Sequence, residues 1–457
     1  MKFVAHILET YFTGLQGKQI AVLGLGVSNR PLVGLLLRYG CTVTAYDKTP
    51  KEKMDAEVLA LERLGCKLET GEKYLQNLQG ELVFRTPGMH PANPALEAVR
   101  ASGGEVTSEM EVFFALCPCR ILAVTGSDGK TTTSTLIAEI LKKSGKKVWL
   151  GGNIGTPLLP YLDEMTPDDI AVVELSSFQL MDMKHSPHVA VVTNLSPNHL
   201  DVHKDMDEYV QAKKNIFLHQ NPEDVLIVNG DDLITAAFRG NGNTCAFSRK
   251  GKTGRVVLED GWICRDGQRV LDVSEILIPG VHNIENYMAA ILAVEGLATD
   301  DVIRSVAREF GGVEHRIELV RIKDGVKFYN DSIASSPSRT AAGLNSFSEK
   351  VLLIAGGYDK GISYESLGSV ICNHVKKLYL NGATAEQIHH AVRNAREYTP
   401  GHPEIICCED LKDAVCRSAE DAQPGDVVLL SPASAAFDQF QNFAVRGTYF
   451  KKLIKEL

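Results

Sequence analysis

The residues best suited to chemistry lie in one short segment, TGSDGKTTT at 125–133. Gly126 and Gly129 allow the backbone to turn tightly and to aim its N–H groups inward. Lys130 supplies a cation for terminal phosphates, and the hydroxyl of Thr131 can ligate Mg²⁺. This pattern predicts a loop that binds the phosphates of a nucleotide.

The flanking residues support the same interpretation. The apolar run 121–124 predicts a buried strand, and the segment that follows the loop predicts a helix whose positive end faces the phosphates. Val124 stands where the general phosphate-loop pattern has a glycine, so the loop is a variant. A chance GKT in a surface loop is the alternative, but strand, glycines, GKT and helix occur together in this order.

Two later strands also end in polar residues. DIAVVELSSFQL carries Glu174 at the end of its apolar run, and HVAVVTNLSPNHLD carries Asn198, His199 and Asp201. Strand ends beside a phosphate loop are where further metal contacts are expected. Each residue could instead be a solvated loop residue, but Thr131, Glu174 and His199 together favour a shared metal and phosphate site.

Composition excludes several classes of partner. The 457-residue chain is 44% hydrophobic and 23% charged, with a formal net charge of -9. It lacks the basic surface charge that binds nucleic acid or an anionic membrane. The N-terminal stretch does not fit a signal peptide and no apolar run reaches membrane-spanning length, so we expect a cytoplasmic protein. Ten scattered cysteines without a CxxC pair predict reduced thiols.

The pattern of elements predicts an α/β protein of three domains: a Rossmann-like domain at 1–108, a central phosphate-loop domain at 109–312 and a second Rossmann-like domain at 313–457. In the first, Gly24 and Gly26 follow a strand, but Asn29 replaces the third glycine of the dinucleotide pattern. The first domain therefore predicts a βαβ unit that holds a phosphate or ribose group. A glycine turn needed only for packing is the alternative.

Seven segments in this order resemble the Mur ligase family over the whole chain: TGSDGKTTT, GGNIGTP, VVELSSFQL, TNLSPNHLD, AKKNIF, GVHNIENYMAA and EHRIE. Two others, NDSIASSP and LLSPASAAFDQFQNFAVRG, resemble the members that add D-glutamate to UDP-N-acetylmuramoyl-L-alanine. The resemblance implies an ATP-dependent ligase of peptidoglycan precursor synthesis. It also implies that a substrate carboxylate becomes an acyl phosphate, which the amine of D-glutamate attacks to give a tetrahedral intermediate, the amide, ADP and phosphate.

The resemblance further implies site residues. For ATP they are Gly126, Ser127, Asp128, Gly129, Lys130, Thr131, Thr132, Asn283, Asn286, Arg316 and Asp331. For the UDP-sugar they are Gly24, Gly26, Val27, Ser28, Asp47, Lys48, Asn153 and Ser176. For D-glutamate they are Ser335, Lys360, Ala436, Phe437 and Phe443. Two Mg²⁺ sites would be formed by Thr131, Glu174, His199 and Lys213.

In this family a lysine carbamylated by CO₂ is a metal ligand, and Lys213 fits the spacing, with Lys214 as the alternative. Lys130, His199 and Lys213 would be the catalytic residues. Ile333 and Ala436 stand where some members have a lysine and a serine. The expected partners are the three small-molecule substrates alone, bound by a monomer.

Three other functions fit parts of the sequence. Ligases of the same fold that use another amino acid lack the NDSIASSP and SPASAAFDQF pair. A nicotinamide oxidoreductase would need the missing third glycine of the first domain. A nucleotide-binding regulator without chemistry would not need Thr131, Glu174 and His199 at three strand ends.

Overall fold

The computed structural model describes residues 6–199, 202–251 and 253–457. The chain forms two compact units, Met1–Val273 with Glu285–Val306 and Ser274–Ile284 with Ala307–Leu457. The first unit contains two β-sheets and the second contains one. Among the described residues, no helix is long and apolar enough to cross a membrane.

The first sheet has five parallel strands in the order β3-β2-β1-β4-β5. Its elements are α1 (Ile7–Thr13), β1 (Gln19–Leu23), α2 (Asn29–Arg38), β2 (Thr42–Asp47), α3 (Ala56–Arg63), β3 (Lys67–Thr70), β4 (Leu82–Phe84), α4 (Pro94–Ala101), β5 (Glu105–Thr107) and α5 (Glu109–Leu116). Four of the five residues of β1 are buried, as expected for a central strand covered on both faces. The chain order reverses next to β1, and the loop after β1 is where such sheets bind ligands.

The second sheet has nine strands in the order β14-β13-β12-β11-β10-β9-β6-β8-β7. Its elements and the two helices that follow are β6 (Arg120–Thr125), α6 (Lys130–Lys143), β7 (Val148–Gly152), β8 (Ile170–Glu174), α7 (Ser177–Leu180), β9 (Val189–Val192), α8 (Met206–Leu218), β10 (Val225–Asn229), β11 (Asn243–Ser248), β12 (Val256–Glu259), β13 (Trp262–Arg265), β14 (Gln268–Asp272), α9 (His282–Ala293) and α10 (Asp300–Glu309). The strands from β7 to β12 are parallel, so β6, β8 and β9 end at one edge.

Two hairpins, each turning at an Asp-Gly pair, form the antiparallel end of this sheet. Asp260 and Gly261 have φ of 46° and 80°, and Asp266 and Gly267 have 50° and 78°. Two consecutive positive φ values are required by the type I′ turn, which matches the twist of the flanking strands.

The third sheet, in the second unit, has the order β15-β16-β20-β17-β18-β19. Its elements are β15 (Glu318–Lys323), β16 (Val326–Asn330), α11 (Pro337–Leu344), β17 (Val351–Ala355), α12 (Glu365–His374), β18 (Val375–Leu380), α13 (Ala385–Arg393), β19 (Glu404–Cys407), α14 (Leu411–Asp421), β20 (Val427–Leu430) and α15 (Phe443–Glu456). Only the β15–β16 pair is antiparallel in this sheet. Separate apolar clusters cover its two faces, which confirms the predicted α/β class.

Candidate active site

The loop between β6 and α6 has the backbone that the glycines predict. Gly126 has φ of 149° and Gly129 has φ of 78°. A Cβ atom on Gly126 would overlap the hydroxyl of Thr193, and one on Gly129 would overlap the side-chain oxygen of Asn286. Both positions therefore need glycine for conformation and for space.

Residues that follow β9 and a residue of α8 form hydrogen bonds with this loop. The Thr193 hydroxyl donates to the Asp128 carbonyl at 2.6 Å, and the Asp128 N–H donates to Asn194 Oδ1 at 2.9 Å. The Ser127 hydroxyl contacts the Tyr209 hydroxyl of α8 at 2.9 Å. These contacts hold the loop in one conformation, which lowers the cost of ordering it around phosphates.

Lys130 begins α6 and folds back over the loop. Its Nζ donates to the carbonyls of Gly126 at 3.0 Å and Ser127 at 2.9 Å. Thr131 is buried in the first turn of the same helix. Both residues lie in the first turn of a helix, as the sequence predicts, and a helix N-terminus attracts anions.

Lys213 on α8 is a second lysine at this loop, and it is 2% exposed. Its Nζ donates to Thr125 Oγ1 at 3.1 Å and to the Gly126 carbonyl at 2.9 Å, and it lies 5.0 Å from the centre of the Tyr209 ring. Burial and the nearby Lys130 hold the pKa of Lys213 well below its ordinary value, although the carboxylates of Glu174 and Asp128 oppose this. The Lys213 amine therefore has a much greater tendency to be neutral than an exposed lysine.

The alternative candidate, Lys214, has a different environment. It is only partly buried, and its Nζ lies 5.4 Å from the centre of the Phe238 ring. The buried side chains of α8 are Tyr209, Ala212, Lys213, Ile216 and Phe217, which form one stripe of the helix. The structure therefore brings Lys213 rather than Lys214 to the phosphate loop.

Glu174 ends β8, and it pairs in register with Val124 just before the loop. Its Oε1 accepts a hydrogen bond from Asn153 Nδ2 at 2.8 Å. Its Oε2 is buried and has no hydrogen-bond partner in the described structure. A buried carboxylate oxygen without a donor is costly unless a cation meets it, so this residue suits a metal ligand.

His199 lies in the loop after β9. It is exposed, with φ of 56°, and its ring is 5.0 Å from that of Phe178. Asp201 of the same predicted loop lies outside the described residues. Within the described ranges, no three His, Cys, Asp or Glu side chains form a metal-binding group, so a metal here would also need hydroxyl or modified-lysine ligands.

The two asparagines of α9 take different places. Asn286 Oδ1 accepts from the Thr133 hydroxyl of α6 at 3.1 Å, so it lies next to the phosphate loop. Asn283 Nδ2 donates to the Pro279 carbonyl at 2.5 Å. Asn153 contacts Glu174, as described above, and Ser176 caps α7 by exchanging hydrogen bonds with Gln179.

The glycine loop after β1 is organised around Asp47. Its carboxylate accepts from the N–H of Leu25 at 2.7 Å and of Thr49 at 2.8 Å. Burial would raise the pKa of Asp47, but these hydrogen bonds outweigh it and the pKa is lowered. Asn29, at the position of the missing third glycine, donates to the carbonyls of Leu23 at 2.9 Å and Gly24 at 3.0 Å.

The outer surface of this loop is open. Gly26 and Val27 are exposed, and Val27 has 76% of its surface accessible. Ser28 is partly buried at the start of α2, and Lys48 is exposed. This arrangement provides a short apolar and polar surface with a cation beside it, which suits an anionic or nucleotide-like ligand.

In the second unit, Asp331 is buried after β16. It accepts from the Ile317 N–H at 3.3 Å and from the Ser431 hydroxyl at 2.7 Å. Burial raises its pKa to about 7 although both hydrogen bonds and Arg316 oppose this. Arg316 itself is exposed.

The residues expected to bind D-glutamate lie on three loops of this unit. Lys360 is exposed, and Ser335 is partly buried. Phe437 is 61% exposed and its ring centre is 5.8 Å from that of Tyr358, whereas Ala436 is buried. Phe443 begins α15.

Sequence reasoning missed Arg446, a buried arginine of α15. Its guanidinium donates to the carbonyls of Ser332, Ser434 and Ala435 and to the Ser332 hydroxyl, each at 3.0 Å. The carbonyl acceptors belong to the segments that carry Ser335 and Ala436, so Arg446 fixes those segments together. Its only sequence signal is a charged residue on the buried face of a helix.

The fold and the loop together define a nucleotide-binding α/β protein with a phosphate loop at the carboxyl edge of a parallel sheet. Comparison with known proteins narrows the class. Residues 124–294 match the Mur ligase middle domain, and residues 315–434 match the Mur ligase glutamate ligase domain.

Two curated relatives match along almost their whole length. The UDP-N-acetylmuramoylalanine–D-glutamate ligase of Acetivibrio thermocellus is 52% identical, with 98% of this chain and 99% of the relative covered. The protein of that name from Ruminiclostridium cellulolyticum is 49% identical over the same shares. The chain belongs to the Mur ligase family.

Solved structures agree on the fold. The UDP-N-acetylmuramate-alanine ligase of Thermotoga maritima aligns with a TM-score of 0.57 at 18% identity, covering 96% of this chain and 99% of that one. The MurF ligase of Thermotoga maritima, solved in complex with ADP, aligns with a TM-score of 0.53 at 18% identity over the full length of both. At this identity they support the fold alone.

Proposed function

We propose that the chain is an ATP-dependent ligase that joins D-glutamate to UDP-N-acetylmuramoyl-L-alanine and releases ADP and phosphate. The observation that carries the proposal is the 52% identity over 98% of the chain to a relative of that name. The local geometry supports it, because a positioned phosphate loop, a buried carboxylate and a buried lysine meet at one sheet edge.

The chemistry explains why such a site is needed. A free carboxylate is a poor electrophile, so it must first attack the terminal phosphate of ATP to become an acyl phosphate. The amine of D-glutamate then attacks the acyl carbon, and phosphate leaves as the tetrahedral intermediate collapses to the amide. Both steps bring anions together, and positioned cations and N–H groups are the means of offsetting that repulsion.

The chain's own residues divide this work. Lys130 and the loop N–H groups from Gly129 to Thr132 would bind the ATP phosphates, since the N–H groups of Ser127 and Asp128 already donate to Asn194. Asn283 and Asn286 would approach the adenine base, Arg316 would bind the phosphates and Asp331 would bind the ribose. Because Asp331 has a raised pKa, it would donate or accept according to its protonation state.

Magnesium would be held at two sites by Thr131, Glu174, His199 and a carbamylated Lys213. When bound, the metal offsets the charge of the phosphates and of the reacting carboxylate. Glu174 fits this role because its Oε2 is buried without a donor.

The environment of Lys213 suits carbamylation. Only a neutral amine can attack CO₂, and the lowered pKa of Lys213 favours that form. The nitrogen forms a bond to the carbon of CO₂ as one C–O π bond opens, and it then loses one proton, so the neutral amine becomes an anionic carbamate with two oxygen ligands. Lys214, on the less buried side of the helix, has no such environment.

The other two substrates would bind at the loops described above. The UDP-sugar would lie on Gly24, Gly26, Val27, Ser28, Asp47 and Lys48 and extend towards Asn153 and Ser176. D-Glutamate would contact Ser335, Lys360, Ala436, Phe437 and Phe443. The domain limits at 108/109 and 312/313, the monomeric state and a cytoplasmic location remain part of this proposal.

The decisive experiment measures ADP release with ATP, Mg²⁺ and UDP-N-acetylmuramoyl-L-alanine, adding D-glutamate, L-glutamate, L-alanine or L-lysine in turn. We expect turnover that depends on D-glutamate and a product whose mass includes one glutamyl residue. Turnover without D-glutamate, or a preference for L-lysine, would contradict the proposal.

A further inference from the structure

Two cysteine thiols meet in the segment that joins α5 to β6. Cys117 caps the C-terminus of α5, and Cys119 immediately precedes β6. Their sulfur atoms are 3.4 Å apart across Pro118. Cys119 is 3% exposed and Cys117 is partly exposed, so one thiol is accessible and the other is sheltered.

The two thiols differ in acidity in the direction that a reactive pair requires. The hydrogen bond with Cys119 lowers the pKa of Cys117 despite its burial. The pKa of Cys119 is raised, mainly by the same hydrogen bond and to a smaller extent by burial. Burial instead raises the pKa of Cys66 to about 11, and likewise that of Cys408. A thiolate that is partly exposed and has a neighbouring thiol is the type of cysteine that oxidants attack.

We propose that Cys117 and Cys119 are a dithiol modification site that peroxides convert reversibly to an intramolecular disulfide. The proline between them restricts the backbone that joins the two cysteines. The inference does not depend on the ligase activity proposed above.

The reaction balances with a peroxide as the oxidant. The Cys117 thiolate attacks one peroxide oxygen, the O–O bond breaks, and Cys117 becomes a sulfenic acid while hydroxide takes up a proton to form water. The Cys119 thiol then attacks the sulfenic sulfur, loses its proton and expels the second oxygen as water. Two thiols lose two electrons and two protons, and the peroxide is reduced to two waters.

The sequence allows a direct test on the full-length protein. Cleavage after Arg100 and Arg120 gives a tryptic peptide, 101–120, that contains Cys117 and Cys119 and no other cysteine. The protein is treated with hydrogen peroxide, its free thiols are blocked with iodoacetamide under denaturing conditions, and the peptide is analysed by mass spectrometry. We expect the peptide without alkyl groups and lighter by two hydrogen atoms, and a thiol reductant before blocking should restore double alkylation.

Variants make the assignment specific. Cys117→Ser and Cys119→Ser should each abolish the lighter peptide, and Cys119→Ser should leave a sulfenic acid at Cys117 that a dimedone probe captures. Cys407→Ser removes an exposed thiol and should leave the lighter peptide unchanged. A peptide that stays doubly alkylated after peroxide, or Cys117 joined to a cysteine other than Cys119, would overturn the proposal.

Discussion

Two strand–loop–helix segments of the first unit look alike in sequence, but the charged side chains beside their loops differ in how fully they are hydrogen-bonded. In the loop from β1 to α2, the Asp47 carboxylate accepts two backbone N–H groups, and the loop holds its own shape. At the loop from β6 to α6, Glu174 Oε2 has no hydrogen-bond partner in the described structure, and Lys213 is buried near Lys130. Backbone N–H groups therefore satisfy the partly buried carboxylate at the first loop, whereas the second loop leaves buried charge for a ligand to offset.

The difference separates recognition from chemistry. A self-contained loop keeps a fixed surface, which here includes the exposed Val27. Unmet buried charge costs stability but acts strongly on reacting groups, because fixed charges in a water-poor site need no reorganisation. Removing a charge at the phosphate loop should therefore act mainly on catalysis, and removing a charge near the β1 loop should act mainly on stability.

The largest effect is expected from Lys213→Ala. Loss of the proposed carbamate should lower kcat about 100- to 1,000-fold, since one fixed charge at the reacting centre would be removed. Formate or acetate in the assay should restore part of the activity by replacing the carbamate oxygens. The matched control is Lys214→Ala, which should keep nearly full activity. Full activity of Lys213→Ala without added carboxylate would reject the carbamate, and [¹³C]bicarbonate with NMR detection would test for it directly.

Glu174→Gln should have the next largest effect. The amide keeps the bond from Asn153 but removes the charge, so the Mg²⁺ concentration for half-maximal activity should rise and kcat should fall about 10- to 100-fold. Asp169, at the other end of the same strand region, accepts from Trp149 and Thr166 and is the control. Asp169→Asn should lower thermal stability and leave the Mg²⁺ dependence unchanged, and an equal shift in both variants would contradict the assignment.

A pair of glycine substitutions compares the two loops directly. Gly126→Ala places a methyl group against Thr193 at a φ of 149°, so we expect a loss of about 1–3 kcal/mol in the free energy of unfolding. A Cβ on Gly26 meets open space, and Gly26→Ala should stay within about 0.5 kcal/mol of the parent. Thermal unfolding monitored by circular dichroism gives both values, and equal losses would mean that the loops are equally constrained.

The glycines, the GKT and the strand ends could be predicted because each depends on residues adjacent in the chain. The family and the fold predicted from them are confirmed. The burial of Lys213 rather than Lys214 also follows a local pattern, since residues 209, 212, 213, 216 and 217 lie on one helical stripe. The hydrogen bonds by which Arg446 joins two loop segments could not be predicted from the sequence, because its acceptors lie up to 114 residues away in the chain. The roles assigned to the site residues stay predictions.

The smallest effect should come from Glu109, which is buried at the start of α5 and lines a small cavity with Ser28 and Asn29 of the β1 loop. Burial raises its pKa from 4.5 to about 7, against the hydrogen bond from the Leu159 N–H. Because the folded state holds this proton more tightly, the stabilisation from Glu109 is complete below about pH 4.5 and is lost as pH rises through about 7.

Glu109→Gln stays neutral and keeps an acceptor for Leu159, so its stability should exceed that of the parent at pH 8 and match it near pH 4.5. Thermal midpoints between pH 4.5 and pH 8 measure this difference, with the exposed Glu105→Gln as the control. The activity ratio of Glu109→Gln to parent should stay constant with pH, because this carboxyl contributes to stability and not to the reaction. If that activity ratio changes with pH while the stability does not, Glu109 contributes to the reaction. A buried charge next to the β1 loop would then act on catalysis, and the distinction between the two loops would be wrong.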